Sequence, residues 1–355
     1  MKNILKVIVL MILSSQLLKA GNPERAGQAG ATQLLINPWA RNSGVHGINT
    51  SNAYGIESVI NNPAGLARTK RTELVFSHTR YLVGTDINLN TFGFSQGLKK
   101  GGVLGLSVVS FDLGEFERTT IDQPDGTLGT FRPTFLNIGV SYAKTFVDDR
   151  IFVGFTTRII HESITDVAAN GVAFDAGVQY TDKGGKFRIG VSLKNVGPEM
   201  RYSGDGLTQR ADLGGSNSRF TSNVSTVASK FELPTQLNIG ASYEFNFGGD
   251  SLASIHTILP MINFTANAFS RDQIGGGAEY RFKKYFMFRA AYVWEKGITN
   301  PEQRMNVYTG LAFGATVEIP FKSGDGRYSS FGFDYSYRTT NPFQGTHSLG
   351  CRVNL

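Results

Sequence analysis

Segments of alternating polarity run through most of this chain, from position 73 to the last residue. The clearest is 235–247, where Leu237 and Ile239 share one parity and Asn238 and Ser242 share the other. Because side chains of a strand alternate between two faces, such a segment has one apolar face and one polar face. Soluble strands usually have about 5 or 6 residues and membrane strands about 9 to 11, so these lengths favour a membrane barrel over a soluble sandwich.

The pattern predicts an all-β fold, a transmembrane antiparallel β-barrel of about 14 strands that spans residues 73–355. The predicted strands are 73–81, 87–96, 102–111, 135–146, 151–163, 171–180, 186–194, 235–247, 256–268, 274–282, 285–294, 307–321, 328–339 and 346–355. An even strand number returns the barrel's two ends to one side, which is the periplasm in bacterial outer-membrane barrels. Short and long connections between the predicted strands occur on opposite ends of the barrel: every second connection is short, and all the long connections fall among the others. This arrangement is typical of such barrels. The single cysteine, Cys351, shares parity with apolar Leu349 and is predicted to act as a small apolar side chain.

Residues 1–20 have the form of a secretory signal peptide that is cleaved from the mature chain. Lys2 and Lys6 precede an apolar run at 7–18, and Ala20 is a small residue suited to cleavage. An anchoring helix is the alternative, but the run is shorter than the ~20 residues that a membrane span requires. We therefore expect a bacterial outer-membrane protein with both termini in the periplasm. Removal of this segment lowers the formal charge from +7 to +4, and no basic-aromatic strip is visible, so we expect no nucleic-acid partner.

Residues 21–72 lack the alternation and are rich in Gly, Ala and Asn, with breakers at Pro23, Pro38 and Pro63. A barrel of fourteen strands leaves a lumen, because eight strands already fill theirs with side chains. We therefore expect this segment to fold inside the lumen as a hatch. The alternative is a tail in the periplasm.

The sharpest motif of the segment stands just before the first predicted strand. It consists of Asn61, Asn62, Pro63, Ala64, Gly65 and Leu66. Asn before Pro favours a turn or a helix start, and Pro at the first helical position needs no backbone donor. On these grounds alone the motif is an ordinary turn.

Two segments, 29–41 and 61–67, resemble the N-terminal signature of the PorV/PorQ proteins. These are outer-membrane barrels of Bacteroidetes, related to the FadL-type transporters of hydrophobic compounds, which share the Asn-Pro-Ala phrase. The resemblance implies a hatch-plugged barrel of the type IX secretion system. The partners it implies are the C-terminal domains of secreted cargo and proteins of the secretion translocon or attachment complex, within outer-membrane lipid and lipopolysaccharide.

Two long loops, 112–133 and 195–234, are the candidate surface for such partners. The first is net acidic, and large apolar side chains in both loops suit a partner-binding role. The candidate contacts are Phe116, Phe131, Met200, Tyr202 and Phe220. A solvated loop without a partner is the alternative.

A FadL-like channel for hydrophobic small molecules is the alternative function, and it requires an apolar path through the interior. The inward parity of the predicted strands instead carries charges, which suit a watered or ion-paired lumen better. The predicted lumen charges are Arg188, Glu244, Glu279, Arg289, Asp334 and Arg352.

The residues do not indicate an enzyme, and we expect no cofactor or metal. None of the five histidines has the spacing of a catalytic dyad or a metal site. An open porin is a further alternative, in which residues 21–72 would have little reason to exist. We therefore predict a plugged outer-membrane barrel that acts as a partner- or cargo-binding component of type IX protein secretion.

Overall fold

The computed structural model describes residues 21–355 except 100, 121, 127, 214–219, 249–254, 284 and 323–327. The side chains of 212, 213, 220, 322 and 328 also lie outside the described part. The predicted signal peptide, 1–20, therefore lies outside the described residues.

Fourteen antiparallel strands form a closed barrel. They are β1 Thr72–Arg80, β2 Asn88–Gly97, β3 Gly102–Asp112, β4 Thr134–Phe146, β5 Ile151–Ile164, β6 Val167–Thr181, β7 Phe187–Val196, β8 Gln236–Tyr243, β9 His256–Asn267, β10 Gln273–Phe282, β11 Phe286–Glu295, β12 Tyr308–Lys322, β13 Tyr328–Thr340 and β14 Thr346–Asn354. Beyond a break at Glu244, β8 continues as Phe245–Phe247. Each strand pairs with the next, and β1 pairs with β14, where Phe76 lies opposite Cys351. The predicted all-β barrel of about 14 strands is confirmed.

The two faces of the wall differ as the alternation predicts. In β11, residues alternate strictly between exposed and buried, so that Phe288 and Tyr292 face outward while Arg289 and Ala291 face the interior. Cys351 is exposed on the outer face, as its parity predicts. The apolar band therefore surrounds the barrel, and the polar parity points into it.

The two ends of the barrel differ in the length of their connections. One end, the short-turn rim, is where β2 ends and β3 begins, and likewise for β4 and β5, β6 and β7, β8 and β9, β10 and β11, and β12 and β13. The other end, the long-loop rim, carries the connections 81–87, 113–133, 165–166, 197–235, 268–272, 296–307 and 341–345. The fifth and sixth strands are longer than the sequence predicts and meet in a connection of only Thr165 and Asp166.

The long loops contain short ribbons of their own. Phe116–Glu117 pairs with Thr130–Phe131, and Thr208–Leu213 pairs with Phe220–Ser225. The wall is irregular beside the second loop, because pairing between β6 and β7 ends at Phe174. Beyond that point Tyr202–Ser203, from the loop itself, pairs with β6.

The chain before β1 folds into short helical pieces. They are the 3-10 turns Pro23–Arg25, Thr32–Leu35, Ile56–Ile60 and Pro63–Arg68 and the α-helical turn Ala40–Ser43. None of the helices among the described residues is long and apolar enough to cross a membrane.

The two ends of the described chain lie at opposite rims. Gly21 donates its backbone N–H to Asp272, in a connection of the long-loop rim. Leu355 instead donates to Thr72 O, at the short-turn rim. The expectation that both termini share one side is therefore wrong for Gly21, because residues 21–71 run from one rim to the other before β1 begins.

The outer face gives a direct test of hydrocarbon contact. Phe313, in the middle of β12, and Phe321, near its short-turn end, are both exposed. A cation at the bilayer midplane costs about 2–4 kcal/mol, but about 0–1 kcal/mol near the interface. We expect Phe313→Arg to lower the free energy of unfolding by about 2 kcal/mol more than Phe321→Arg, measured by urea titration in lipid vesicles. Equal losses would contradict the placement of this face in hydrocarbon.

Candidate functional site

A chain of buried and half-buried ion pairs lines one side of the barrel interior. Arg188 Nη2 lies 2.7 Å from Glu244 Oε2, and Arg281 Nη1 lies 3.9 Å from the same oxygen. Arg281 also contacts Glu279, with 2.5 Å between Nε and Oε1. Arg289 contacts the second oxygen of Glu279. These side chains come from β7, from the break that follows β8, and from β10 and β11, so the ion pairs run along the wall from β7 to β11.

The ion pairs continue into β12–β14 and from there into the N-terminal segment, residues 21–71. Arg352 Nη1 lies 3.2 Å from Asp334 Oδ2, and its Nη2 lies 3.2 Å from Glu318 Oε2. The same guanidinium lies 3.3 Å from Glu57 Oε1, and Glu57 in turn pairs with Arg41 at 3.2 Å. Removing one partner of a buried pair leaves an uncompensated charge and costs about 3–5 kcal/mol, so we expect loss of Arg352, which contacts three carboxylates, to be strongly destabilising.

All six predicted lumen charges therefore belong to one connected set. Arg289 bridges its two halves, with Nη1 4.0 Å from Asp334 Oδ1. The sequence reasoning missed the two members from the N-terminal segment, Arg41 and Glu57. A signal was present, because they are the only charged residues between positions 31 and 67 and have opposite signs.

The motif 61–66 is buried against the wall formed by β6 and β7. The Asn62 side chain donates to the carbonyls of Thr50, Val178 and Val191 at 3.0, 3.1 and 3.3 Å. Its Oδ1 accepts from Ala64 N at 3.1 Å and so begins the 3-10 turn, in which Pro63 takes the first position. The members Asn61, Asn62, Pro63, Ala64, Gly65 and Leu66 are all buried.

Glycines on the inner wall make room for this motif. A Cβ at Gly154 would lie 2.3 Å from Pro63 O, and one at Gly177 would lie 2.0 Å from Asn62 Oδ1. Gly154 and Gly177 are paired neighbours on β5 and β6. We call these two residues the glycine seat. In the sequence, both glycines stand at positions that face the interior, on adjacent predicted strands. Only the strand register shows that they lie side by side.

The largest apolar cluster of the interior joins the N-terminal segment to the inner faces of β1–β4. Hydrogen bonds lie beside it, such as those from Ile56 N to Glu73 Oε2 at 2.6 Å and from Ser77 Oγ to Pro38 O at 2.9 Å. The buried members of the cluster are Trp39, Ile56, Val59, Ile60, Leu66, Val75, Leu89, Val103, Val109, Phe111 and Ala143. The predicted lumen charges all lie between β7 and β14, away from this cluster.

A second apolar cluster lies near the long-loop rim. It consists of Ala31, Leu34, Ile160, Ala169, Ala173, Met200 and Leu233, with Tyr202 and Phe231 packed against it. Glu162 lies beside it and accepts from Gln33 Nε2 at 2.6 Å and from Tyr202 Oη at 2.5 Å. This cluster connects the N-terminal segment to loop 197–235.

The predicted partner contacts divide between surface and interior. Phe116 is exposed and stacks on Phe131 with 5.7 Å between ring centroids. Met200 is only 2% exposed and Tyr202 binds Glu162, so neither is a free surface contact as predicted. The reason is that residues 197–203 run along the edge of β6 where β7 has ended. The side chain of Phe220 lies outside the described residues.

His46 is a buried titratable group of the N-terminal segment. Its ring lies edge-on to Tyr308 at 5.2 Å. Burial, reinforced by the nearby Arg338 cation, lowers the pKa of His46 to about 4. No group of His, Cys, Asp and Glu in the described ranges is arranged to hold a metal ion.

This pKa predicts that acid loosens the N-terminal segment. His46 binds a proton below pH 6.5 when released but only near pH 4 when buried, so the buried arrangement loses stability as the pH falls through this interval. The loss approaches about 1.4 kcal/mol per pH unit. The protection factors of residues 40–48 in hydrogen exchange, which correct for the slower intrinsic exchange in acid, should therefore fall between pH 6.5 and 4.5. His46→Asn, which tolerates the positive φ of 52°, should show a weaker dependence, and an equal one would contradict this assignment.

No family model matches the sequence, and no curated protein matches it. Several solved structures are similar to this one. The Pseudomonas putida toluene transporter TodX matches with a TM-score of 0.52 and 11% identity, covering 90% of this chain and 97% of that one. The CymD monoaromatic hydrocarbon channel matches with a TM-score of 0.50 and 14% identity over the same shares of the two chains. The chain therefore shares the fold of these two barrels. At these identities the likeness concerns the fold alone.

Proposed function

We propose that this barrel carries small apolar molecules across the outer membrane and that residues 21–71 are its hatch. The shared barrel fold supports this reading, since the two matching proteins are described as a toluene transporter and a monoaromatic hydrocarbon channel. The observation that carries the proposal is the apolar interface between the N-terminal segment and β1–β4.

The two sides of the hatch differ in how readily a solute replaces their contacts. An apolar contact is non-directional, so a hydrocarbon that enters beside Trp39 or Ile56 restores the burial it disrupts. A hydrocarbon cannot replace an ion pair such as that between Arg352 and Glu57, because it offers neither charge nor hydrogen bonds. We therefore infer that the hatch opens along β1–β4 while it stays attached to β7–β14.

The described structure corresponds to the closed state of such a channel. The interior clusters are packed, and Trp39, Ile56 and Leu66 have no exposed surface. Two open surface depressions, of about 480 and 400 Å³, lie at the rims beside Met305 and Lys183, away from these clusters. Passage therefore requires the hatch to move.

Two engineered disulfides test this opening in a Cys351→Ser background. Ile56→Cys with Gly93→Cys joins the hatch to β2, where a Cβ at Gly93 would lie 2.9 Å from the Ile56 side chain. Ser51→Cys with Ser242→Cys joins it to β8, where the two hydroxyls are 2.9 Å apart. We expect the first tether to reduce uptake of a labelled monoaromatic hydrocarbon about tenfold, because it removes the open population.

The second tether is the matched control and should leave uptake unchanged, and reductant should restore uptake in the first. Uptake that persists with the first tether fully formed would contradict opening along β1–β4. A wild-type protein that takes up neither the hydrocarbon nor a labelled fatty acid would contradict the channel itself.

A second candidate function is partner binding in type IX protein secretion. The observations that favour it are the stack of exposed Phe116 on half-buried Phe131 and the ribbon formed by Thr208–Leu213 and Phe220–Ser225 in loop 197–235. The motif resemblance at residues 29–41 and 61–67 supports it too. The charged half of the interior has no evident role in the passage of apolar molecules.

Deletion of residues 208–225 separates the two functions. Thr208 and Ser225 are paired, so a short Gly linker closes the gap without disturbing buried Met200 or Leu233. In a native host we expect this variant to assemble, to retain hydrocarbon uptake and to lose export or surface attachment of cargo. Normal secretion of cargo by this strain would count against the partner-binding role, and Phe116→Ser offers a milder variant of the same surface.

A further inference from the structure

The first described residue, Gly21, lies in a close-fitting site on the long-loop rim. Its backbone nitrogen is 2.8 Å from Asp272 Oδ2, in the connection between β9 and β10. A Cβ at position 21 would lie 2.6 Å from Asp272 Oδ1 and 2.8 Å from Ser270 O. Only glycine therefore brings the backbone nitrogen this close to the carboxylate.

The residues that follow hold the chain along the rim. Asn22 N donates to Asn267 O at 3.3 Å, and Gly30 N donates to Glu232 O at 3.1 Å. Between them, Arg25 pairs with Glu232 and lies over the Phe269 ring at 4.2 Å. Residues 21–30 thus contact both β9–β10 and loop 197–235, so the position of Gly21 is fixed from two sides.

We propose that Asp272 forms a binding site for the primary ammonium group that signal-peptide cleavage creates at Gly21. Cleavage after Ala20 is what the sequence predicts, and it makes Gly21 the first residue of the mature chain. The site is independent of what the barrel carries, because Asp272 belongs to neither apolar cluster.

The chemistry is hydrolysis of one peptide bond by a signal peptidase. Water adds its hydroxyl to the Ala20 carbonyl carbon, the C–N bond breaks, and Gly21 leaves as an amine that takes up the proton. An α-amino group has a pKa of about 8, so it is mainly protonated at neutral pH. One neutral N–H donor thereby becomes a cation with three donors, and its bond to Asp272 becomes charge-assisted on both sides.

This site makes the assembled form of the N-terminal segment depend on processing. In the precursor, the nitrogen of Gly21 is an uncharged amide. In the mature protein, the chain begins at Gly21, and the Gly21 ammonium group lies beside the Asp272 carboxylate. Cleavage therefore supplies the charge that fastens residues 21–30 to the long-loop rim.

The test uses the full-length mature protein isolated from membranes. Mass spectrometry of the tryptic peptide 21–25 should identify Gly21 as the first residue. An amine-reactive reagent at neutral pH should then modify its α-amine slowly in the wild type. In Asp272→Asn we expect the rate to rise about tenfold to a hundredfold, the effect of losing a hydrogen bond between charged groups.

Asp86→Asn is the matched control, because Asp86 is an exposed carboxylate in another connection of the same rim. It should leave the rate unchanged. Gly21→Ala, which keeps the carboxylate but adds the clashing Cβ, should raise the rate as well and covers the case in which Asp272→Asn fails to assemble. Heat-modified migration in gel electrophoresis verifies that each barrel is folded.

Three results would overturn the proposal. They are a mature chain that begins at a residue other than Gly21, equal labelling rates in wild type and in the folded variants, and an α-amine that a membrane-impermeant reagent in intact cells cannot reach even in Asp272→Asn. None of these readouts depends on hydrocarbon uptake or on secretion, so failure here is distinguishable from failure of the proposed function.

Discussion

Backbone hydrogen bonding across the wall is the constraint on which this structure depends. A strand in hydrocarbon has no water to bind its N–H and C=O groups, so every strand needs two neighbours. The pairing of β1 with β14 supplies the last of them. Closure at fourteen strands then creates a wide interior, and the polar parity of every strand faces it. The N-terminal segment contacts that interior on all sides, from Ser77 and Gln179 to Arg352.

The interior holds this segment by three kinds of contact. Ion pairs join it to β14, hydrogen bonds around Asn62 and the glycine seat join it to β5–β7, and the largest apolar cluster joins it to β1–β4. The first two are directional and specify one position of the segment. The third contributes burial without specifying geometry, so it is the side at which a foreign apolar molecule competes on equal terms.

The sequence was sufficient for what is local and periodic. Alternation with period two predicted the strands, and the order of short and long connections predicted the topology. Contacts that depend on tertiary register were not predictable. Arg41 and Glu57 are separated by fifteen residues from each other and by hundreds from Arg352, and nothing in a local pattern joins them. Met200 was predicted to lie on the surface because the sequence does not show that pairing between β6 and β7 stops at Phe174.

The seam between β1 and β14 has a consequence for assembly. Trp39 and the turns around it are enclosed on every side, and a chain with such bulky pieces is not threaded through a finished cylinder. Ala40 lies against Gly350, so early and late parts of the chain meet beside the seam. The strands must therefore curl around a segment already in place, and contacts so distant in sequence make the final step of folding slow.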